Sequence, residues 1–326
     1  MVVGTVAIAA WSLGGVVPLV GAPVLALIGG LVLRNAAGTP ASLRPGADFT
    51  LKRLLQMAII LFGATLSFSQ VIAIGSRSFV VIFATILLAL GLTYLFGRWL
   101  QAPSGLVSLI GVGTAICGAT AILTVGPIIE AREEEIAFAV TTIFLFNMLA
   151  VVVYPLLGHL LAFSDTIYGV WAGTAIHDTS SVLAASFAFS EPAGKVATVV
   201  KLTRTLMLVP LALAFGIAHS IAQGRRGAAG VGRVNLVKIF PWFILWFVVA
   251  AMLNTLGVFK TPLGAPLAQW ASPAGKFLVV MVMAAVGLSA DLRRMREIGL
   301  RPFYIGLAAS VMIAVISILL IRFLVV

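Results

Sequence analysis

Long apolar stretches separated by short polar breaks cover nearly the whole chain. Read against Gly, Pro and charged positions, this pattern predicts eleven membrane segments. They lie at about residues 2–20, 22–35, 51–67, 78–97, 104–129, 134–161, 166–189, 192–222, 236–256, 264–290 and 302–325. Most have the length of a helical crossing, roughly 20 residues, and lack the ~10-residue alternation of barrel strands. The pattern therefore predicts an all-α polytopic membrane protein.

Composition and charge narrow the class further. The 326 residues are 61% apolar and 10% charged, with a mean hydropathy of +1.17, whereas soluble domains are about 45–50% apolar and 25% charged. This excludes a soluble enzyme or a nucleic-acid-binding protein, and the net charge of +11 is assigned to short loops that orient the chain. The single cysteine, Cys117, excludes a disulfide framework. No Lys or Arg precedes Arg34, so we predict that the first segment is a retained helix.

Three loops contain the clusters of basic residues. These clusters are Arg34, Arg44, Lys52 and Arg53, then Arg225, Arg226, Arg233 and Lys238, then Arg293, Arg294, Arg296 and Arg301. The positive-inside rule predicts that all three loops are cytoplasmic. If every segment crosses once, the loops do share one side with the N-terminus, and the C-terminus lies on the other.

Segments 104–129 and 166–189 have the features of interrupted helices. Both are rich in Gly, Ser and Thr at their centres, and they share the tetrapeptide GTAI at 113–116 and 173–176. Non-helical backbone at membrane depth is tolerated where it is buried in protein or lines a wet cavity, so two breaks indicate a shared internal site. Both segments could instead re-enter, which would leave nine spans without changing the side of the basic loops. Close packing through small residues is the other interpretation of these glycines.

A second internal similarity appears at an offset of 224 residues, where seven positions of 52–79 match 276–303. By the predicted topology the two copies run in opposite directions across the membrane. Inverted repeats are typical of secondary transporters, with the substrate near the midplane. We therefore predict one transporter domain over 1–326 with repeat-like halves at about 22–161 and 166–325, although chance similarity is the alternative.

Ionisable residues inside membrane segments are functional candidates because each is costly there. Segment 166–189 carries His177, Asp178, Thr179 and Ser180 at its centre, and Lys201 and Arg204 share one face of the next segment. Two cations against one carboxylate leave a positive surplus, and broken helices add free N–H groups, so the sequence predicts an anionic substrate. The predicted binding residues are Arg204, Lys201, His177, Asp178, Thr179, Ser180, Thr114, Cys117 and Gly118.

The same residues allow other roles. Lys201 could snorkel to an interface, and Arg204 could be the structural partner of Asp178. His177 and Asp178 are the candidates for a coupling ion, H⁺ or Na⁺, with a hydrogen-bonding role for His177 as the alternative. The chain lacks phosphate-binding, His-Glu-x-x-His and di-metal signatures. We therefore expect no enzyme, no metal site and no cofactor.

Four runs of sequence resemble the YeiH-like family of bacterial inner-membrane proteins, and the likeness extends from about Pro23 to Arg301. The runs are GVGTAICGATAI at 111–122, AREEE at 131–135, WAGTAIHDTS at 171–180 and VVKLTR at 199–204. The family is described as sulfate exporters and resembles the bile acid, arsenite and riboflavin transporter superfamily. That resemblance implies inverted repeats, two interrupted helices that cross near the midplane, and a core domain that moves against a scaffold.

These observations lead to one expected function and two alternatives. We expect a secondary active transporter of a small anion (sulfate, an organosulfonate or a carboxylate), coupled to H⁺ or Na⁺ and working by an elevator-type movement in the inner membrane. The alternatives are a passive anion channel and a sodium-coupled organic-acid symporter. The resemblance implies lipid and a second copy in a homodimer as partners, and the C-terminus is expected in the periplasm.

Overall fold

Every regular element is helical in the part of the chain that the computed structural model describes. That part comprises residues 2–15, 21–38, 43–224, 239–262, 264–293 and 300–324. The α-helices are α1 (Val2–Gly14), α2 (Gly21–Ala37), α3 (Arg44–Phe49), α4 (Leu55–Gly63), α5 (Phe68–Trp99), α6 (Ser104–Ala115), α7 (Ala119–Ile128), α8 (Glu133–Leu160), α9 (Asp165–Ala175), α10 (Thr179–Phe189), α11 (Glu191–Leu206), α12 (Leu208–Gly224), α13 (Trp242–Thr255), α14 (Ala265–Ser289) and α15 (Leu300–Leu324). The all-α prediction is confirmed.

Five helical stretches are long and apolar enough to cross a membrane. They are 68–99, 133–160, 191–221, 265–289 and 302–324, and shorter apolar helices accompany them. A π-helical turn, Thr50–Leu54, joins α3 to α4. Helix α5 begins ten residues before its predicted start because Ser67 and Gln70 form a capping box there. The basic residues predicted at 225–238, 294 and 296 lie outside the described residues.

The segment predicted at 166–189 is a re-entrant hairpin, hairpin 2, made of α9 and α10. Its two ends meet, because the Ser190 hydroxyl donates to the Asp165 carboxylate over 2.5 Å. Near those ends the Tyr168 ring stacks on Phe189 with centroids 3.9 Å apart, and the Tyr168 hydroxyl donates to the carbonyl of Ala185. The two helices are therefore antiparallel, and the chain leaves the hairpin where it entered.

The segment predicted at 104–129 forms hairpin 1 from α6 and α7. Ile122 packs against Gly113 and Leu109 packs against Gly126, which is the pairing of antiparallel helices. Both segments thus have the hairpin geometry of the re-entrant alternative, for which the predicted topology has nine spans. The resemblance implied that the two interrupted helices cross near the midplane. In the structure they do not cross, and the two hairpins meet at their tips instead. The loop charges could not distinguish spanning from re-entrant segments, because two re-entrant segments leave all three basic loops on one side.

The two hairpins enter the bundle from opposite ends. Hairpin 2 begins at the end where Glu191 binds Ser272 and Lys276 of α14. Helices α11 and α12 run from Glu191 towards the other end, where His219 lies 3.6 Å from Glu130 at the base of hairpin 1. That second end, here called the basic end, also holds the 3.1 Å ion pair between the end of α2 and the residues after α14, Arg34–Asp291.

The helices pack in two groups, as the predicted core and scaffold require. Helices α1, α2, α4, α13 and α14 share one apolar cluster, the scaffold, and both hairpins pack with α5, α8, α11, α12 and α15, the core. In the scaffold, α2 and α14 touch backbone to backbone, because a Cβ at Gly30 would lie 2.5 Å from the Ala284 carbonyl oxygen. Met148 of α8, Leu183 of α10 and Leu202 of α11 belong to the scaffold cluster, so α8, hairpin 2 and α11 contribute contacts between the groups.

Candidate functional site

The two hairpin tips meet inside the bundle. Tip 1 is the turn Ile116–Gly118 and tip 2 is the turn Ile176–Asp178. A Cβ placed on Gly118 would lie 3.7 Å from the Cα of Asp178, so the tips are in van der Waals contact. The structure therefore confirms that the backbone departs from helix at both predicted breaks and that the breaks are neighbours.

Lys201 joins the two tips through their backbone. Its ammonium group donates to the carbonyl of Ile116 in tip 1 over 2.9 Å and to the carbonyls of Ile176, also at 2.9 Å, and His177 in tip 2. A lysine ammonium has three hydrogen-bond donors, and all three are used here. The side chain is 0% exposed, so it does not snorkel to an interface.

Arg204 binds the last carbonyls of the first helix in each hairpin. Its Nε donates to the carbonyl of Ala115 over 2.7 Å, and its two terminal nitrogens donate to the carbonyls of Thr114 and Thr174 over 2.5 Å each. The C-terminus of a helix carries unsatisfied carbonyls and a partial negative charge, which cations stabilise. Lys201 and Arg204 therefore neutralise the C-terminal ends of α6 and α9 deep inside the protein.

Asp178 has a different set of partners from the one considered in the sequence. Its carboxylate caps α10 by accepting from the Ser181 N–H over 3.0 Å, and it also accepts from the Ser180 and Ser181 hydroxyls. Within the described residues no ion pair closer than 4.0 Å joins Asp178 to Lys201 or Arg204. The hypothesis that Arg204 is the ion-pair partner of Asp178 is therefore wrong.

Asn147 of α8 binds the backbone of tip 2. Its side-chain oxygen accepts from the backbone N–H groups of His177 and Asp178, both over 3.1 Å. The His177 ring reaches α15, where its Nε2 lies 3.0 Å from the Ser310 hydroxyl, while Nδ1 is buried and has no hydrogen-bond partner in the described part of the chain. His177 thus serves as a strut between tip 2 and α15 in this conformation.

The N-terminus of α7 has no side-chain cap. Gly118 adopts φ +65° and ψ −128°, a conformation that residues with a side chain rarely adopt. No acceptor in the described ranges binds the N–H groups of Ala119 and Thr120, and the Cys117 thiol lies beside the N–H of Ala121. Free N–H groups at a helix N-terminus bind anions.

The amide of a largely buried asparagine lies at the same place. The Asn147 side chain is 4% exposed, and its Nδ2 lies 3.5 Å from the position that a Cβ on Gly118 would take. Its oxygen holds tip 2, but no hydrogen bond from Nδ2 is present among the described residues. Together with the N–H groups of Ala119 and Thr120, this amide forms a candidate anion site at the start of α7.

The exposed part of the tips is the start of α7 and of α10. Thr120 is exposed, and Ala119, Asp178 and Thr179 are half-buried, whereas Lys201 and Arg204 are fully buried. A solute that approaches the tips therefore meets helix N-termini and the Asp178 carboxylate, and not the ammonium or guanidinium groups. Among the described residues, no group of three or more His, Cys, Asp and Glu side chains could hold a metal ion.

Comparison with known proteins identifies the family of this chain. The profile of a family described as "Conserved hypothetical protein 698" matches residues 1–306. The chain belongs to this family. Its members include a UPF0324 membrane protein of Clostridium tetani, 37% identical over 310 residues that cover 92% of this chain and 89% of the relative. A UPF0324 membrane protein of Streptococcus pneumoniae serotype 4 is 40% identical over 298 residues, 88% of this chain and 85% of the relative. No solved structure matches.

Membership in the UPF0324 family confirms the YeiH-like resemblance drawn from the four sequence runs. The structure brings the nine predicted binding residues of this UPF0324 protein together: Thr114 lies in the last turn of α6, Thr179 and Ser180 begin α10, and the other six lie in the tips or on α11. Neither Asn147 nor Ser310 is among the predicted binding residues, and Ser310 gives no signal because a lone serine in an apolar helix is common. The sequence signal for Asn147 was an amide in a long apolar run, a residue that must find a partner in lipid.

Proposed function

We propose that this UPF0324 protein is a secondary active transporter of a small anion, such as sulfate, an organosulfonate or a carboxylate. The observation that supports this most is the N-terminus of α7, where N–H groups without an acceptor among the described residues and the Asn147 amide lie beside the half-buried Ala119 and the exposed Thr120. These donors match the acceptor oxygens of such anions. The description of YeiH-like proteins as sulfate exporters is consistent with the proposal.

Lys201 and Arg204 act on the anion without touching it. Six of their donors are bound to backbone carbonyls, so they supply positive charge from beneath the tips in a low-dielectric environment. Together with Asp178 they give the tips a formal charge of +1. This replaces direct coordination by Arg204, the arrangement considered in the sequence, with binding by α7 and Asn147.

The hairpins also support an alternating-access cycle. Hairpin 1 with α8 and hairpin 2 with α11 are similar units that run in opposite directions through the bundle, and the shared GTAI runs end α6 and α9 at an offset of 60 residues. We interpret these units as an inverted repeat with the site at its interface. In an elevator-type cycle the core carries the tips along the scaffold. The proposal keeps the inner-membrane orientation and the homodimer predicted from the sequence.

Asp178 is the residue proposed to couple the anion to an ion gradient. Only its Oδ2 accepts hydrogen bonds from the described residues, and the side chain is half-buried beside tip 1. A proton or a cation on this carboxylate would remove the negative charge that opposes anion binding at α7. Coupling would follow because the anion and the coupling ion then favour each other's binding.

Thermal unfolding of the purified protein in a series of anions tests the proposal. An anion present at about 100 times its dissociation constant should stabilise the folded protein by about 2.7 kcal/mol. Asn147→Asp is the matched variant: it keeps an acceptor for the N–H groups of tip 2 but loses the amide donor and adds a negative charge. We expect it to fold and to lose the anion-dependent rise in Tm. The absence of stabilisation of the wild-type protein by any small anion would contradict the proposal.

A further inference from the structure

We infer that Lys201 is a resident cation that occupies the position where a Na⁺-coupled transporter would hold Na⁺ between its hairpin tips, and that this protein consequently works without Na⁺. The inference rests on the proposed function and specifies its coupling ion.

The surroundings of the ammonium group are those of a cation site. Three carbonyl oxygens converge on Lys201 Nζ, one from tip 1 and two from tip 2, at the centre of the molecule. Carbonyls of unwound backbone at membrane depth are the groups with which transporters coordinate Na⁺ and with which channels replace an ion's hydration shell. Here they are bound by a side chain of the same protein.

Three more carbonyls nearby are also taken. Arg204 binds those of Thr114, Ala115 and Thr174, so six carbonyls from the ends of α6 and α9 and the two tips serve two side-chain cations. A Na⁺ ion at the same carbonyls would be a third positive charge within a few ångströms in a low-dielectric interior, where charge repulsion is strong. Asp178 alone offers one carboxylate and two hydroxyls already bonded to it, and not an oxygen cage.

The Lys201 ammonium is attached to the protein, and it therefore acts differently from a Na⁺ ion that must bind from solution. Lys201 holds tip 1 to tip 2 permanently, because it is fixed to α11 by the chain. It therefore orders the tips without drawing on a Na⁺ gradient. Lys201 is on this account a positioning residue, which acts on the anion through the tips.

The experiment measures Tm of the purified wild-type protein, without added substrate anion, in sodium chloride and in choline chloride. We expect the two Tm values to agree within about 1 °C. A saturable rise in Tm with Na⁺ would overturn the inference. This outcome is separate from the anion screen, so the inference can fail while the proposed transport function stands, and the reverse.

Lys201→Ala tests the site itself. The change removes the atoms of n-propylammonium, so that cation should refill the space and raise the Tm of this variant saturably by about 3 °C or more. Lys201→Met, which fills the same space with an apolar chain, and Lys195→Ala, which removes the lysine paired with Glu191 on the same helix, should not respond to n-propylammonium. If n-propylammonium raises the Tm of all three variants equally, or of none of them, the assignment is contradicted. If neither Lys201 variant folds, the comparison of wild-type Tm in sodium chloride and choline chloride decides.

Discussion

Replacing Arg204 by methionine removes three buried hydrogen-bond donors while keeping most of the side-chain volume. In the native protein these donors bind the carbonyls of Thr114, Ala115 and Thr174, and the guanidinium is 0% exposed. A buried polar group left without a partner costs roughly 1–3 kcal/mol, so three stranded carbonyls cost about 3–9 kcal/mol. Folded proteins are stable by only about 5–15 kcal/mol. Arg204→Met is therefore expected to lower Tm severely or to prevent accumulation of folded protein.

The assay is thermal unfolding in detergent followed by tryptophan fluorescence, with Arg77→Met as the control because Arg77 is an exposed arginine on α5. The control should unfold within 1–2 °C of the wild-type protein, since exposed substitutions change stability by about 0.5 kcal/mol or less. An Arg204→Met protein that is as stable as wild type but no longer stabilised by anions would refute this reasoning. It would restore Arg204 as the direct anion ligand.

A double variant separates the two structural roles that Arg204 could have. If Arg204 and Asp178 were ion-pair partners, Asp178→Asn would recover much of the stability lost in Arg204→Met. Because the carboxylate instead caps α10, and Asn caps a helix about as well as Asp, we expect no recovery and little further change in stability. Recovery in the double variant would show that the charges interact more strongly than their separation indicates.

Two further predictions concern tip 1 and hairpin 1. Gly118→Ala should lower stability by roughly 1–3 kcal/mol, because its φ of +65° strains any side chain and its Cβ would lie 3.3 Å from Ile143 Cγ2. Gly91→Ala, which meets open space, should unfold at or above the wild-type Tm, and equal effects of the two changes would contradict the conformational argument. In a variant without Cys117, cysteines placed singly at Gln101 and Glu130 should both react from the cytoplasmic side only, because the two positions are the two ends of one re-entrant hairpin. Reaction of the two from opposite sides would show that the segment spans the membrane.

Much of the fold could be predicted from the sequence because it depends on local patterns. The helices follow from apolar runs, and the breaks follow from Gly and Thr beside charged or polar residues, as at 113–118 and 173–180. Whether the broken segments span or re-enter could not be predicted, since both choices satisfy the positive-inside rule. The deciding contacts, such as Ser190 with Asp165, join residues that carry no pairing signal.

At the site, too, some features could be predicted from the sequence and others could not. Lys201 and Arg204 could be chosen from the sequence as candidates because charges inside membrane segments are costly, and the structure buries both side chains. Their partners could not be predicted, since these are backbone carbonyls, which every residue possesses and no sequence distinguishes. Composition alone suggested an ion pair or a bound anion, and the geometry shows instead two neutralised helix ends.

The central claim is that the start of α7 and the Asn147 amide bind a small anion that the protein transports. The most direct measurement is uptake of radiolabelled sulfate into liposomes containing either wild-type protein or Asn147→Asp. The account predicts saturable, gradient-dependent uptake by wild-type protein and a loss of uptake in Asn147→Asp at unchanged folded content. Equal uptake by the two proteins, or wild-type flux that persists at channel rates without an ion gradient, would contradict it.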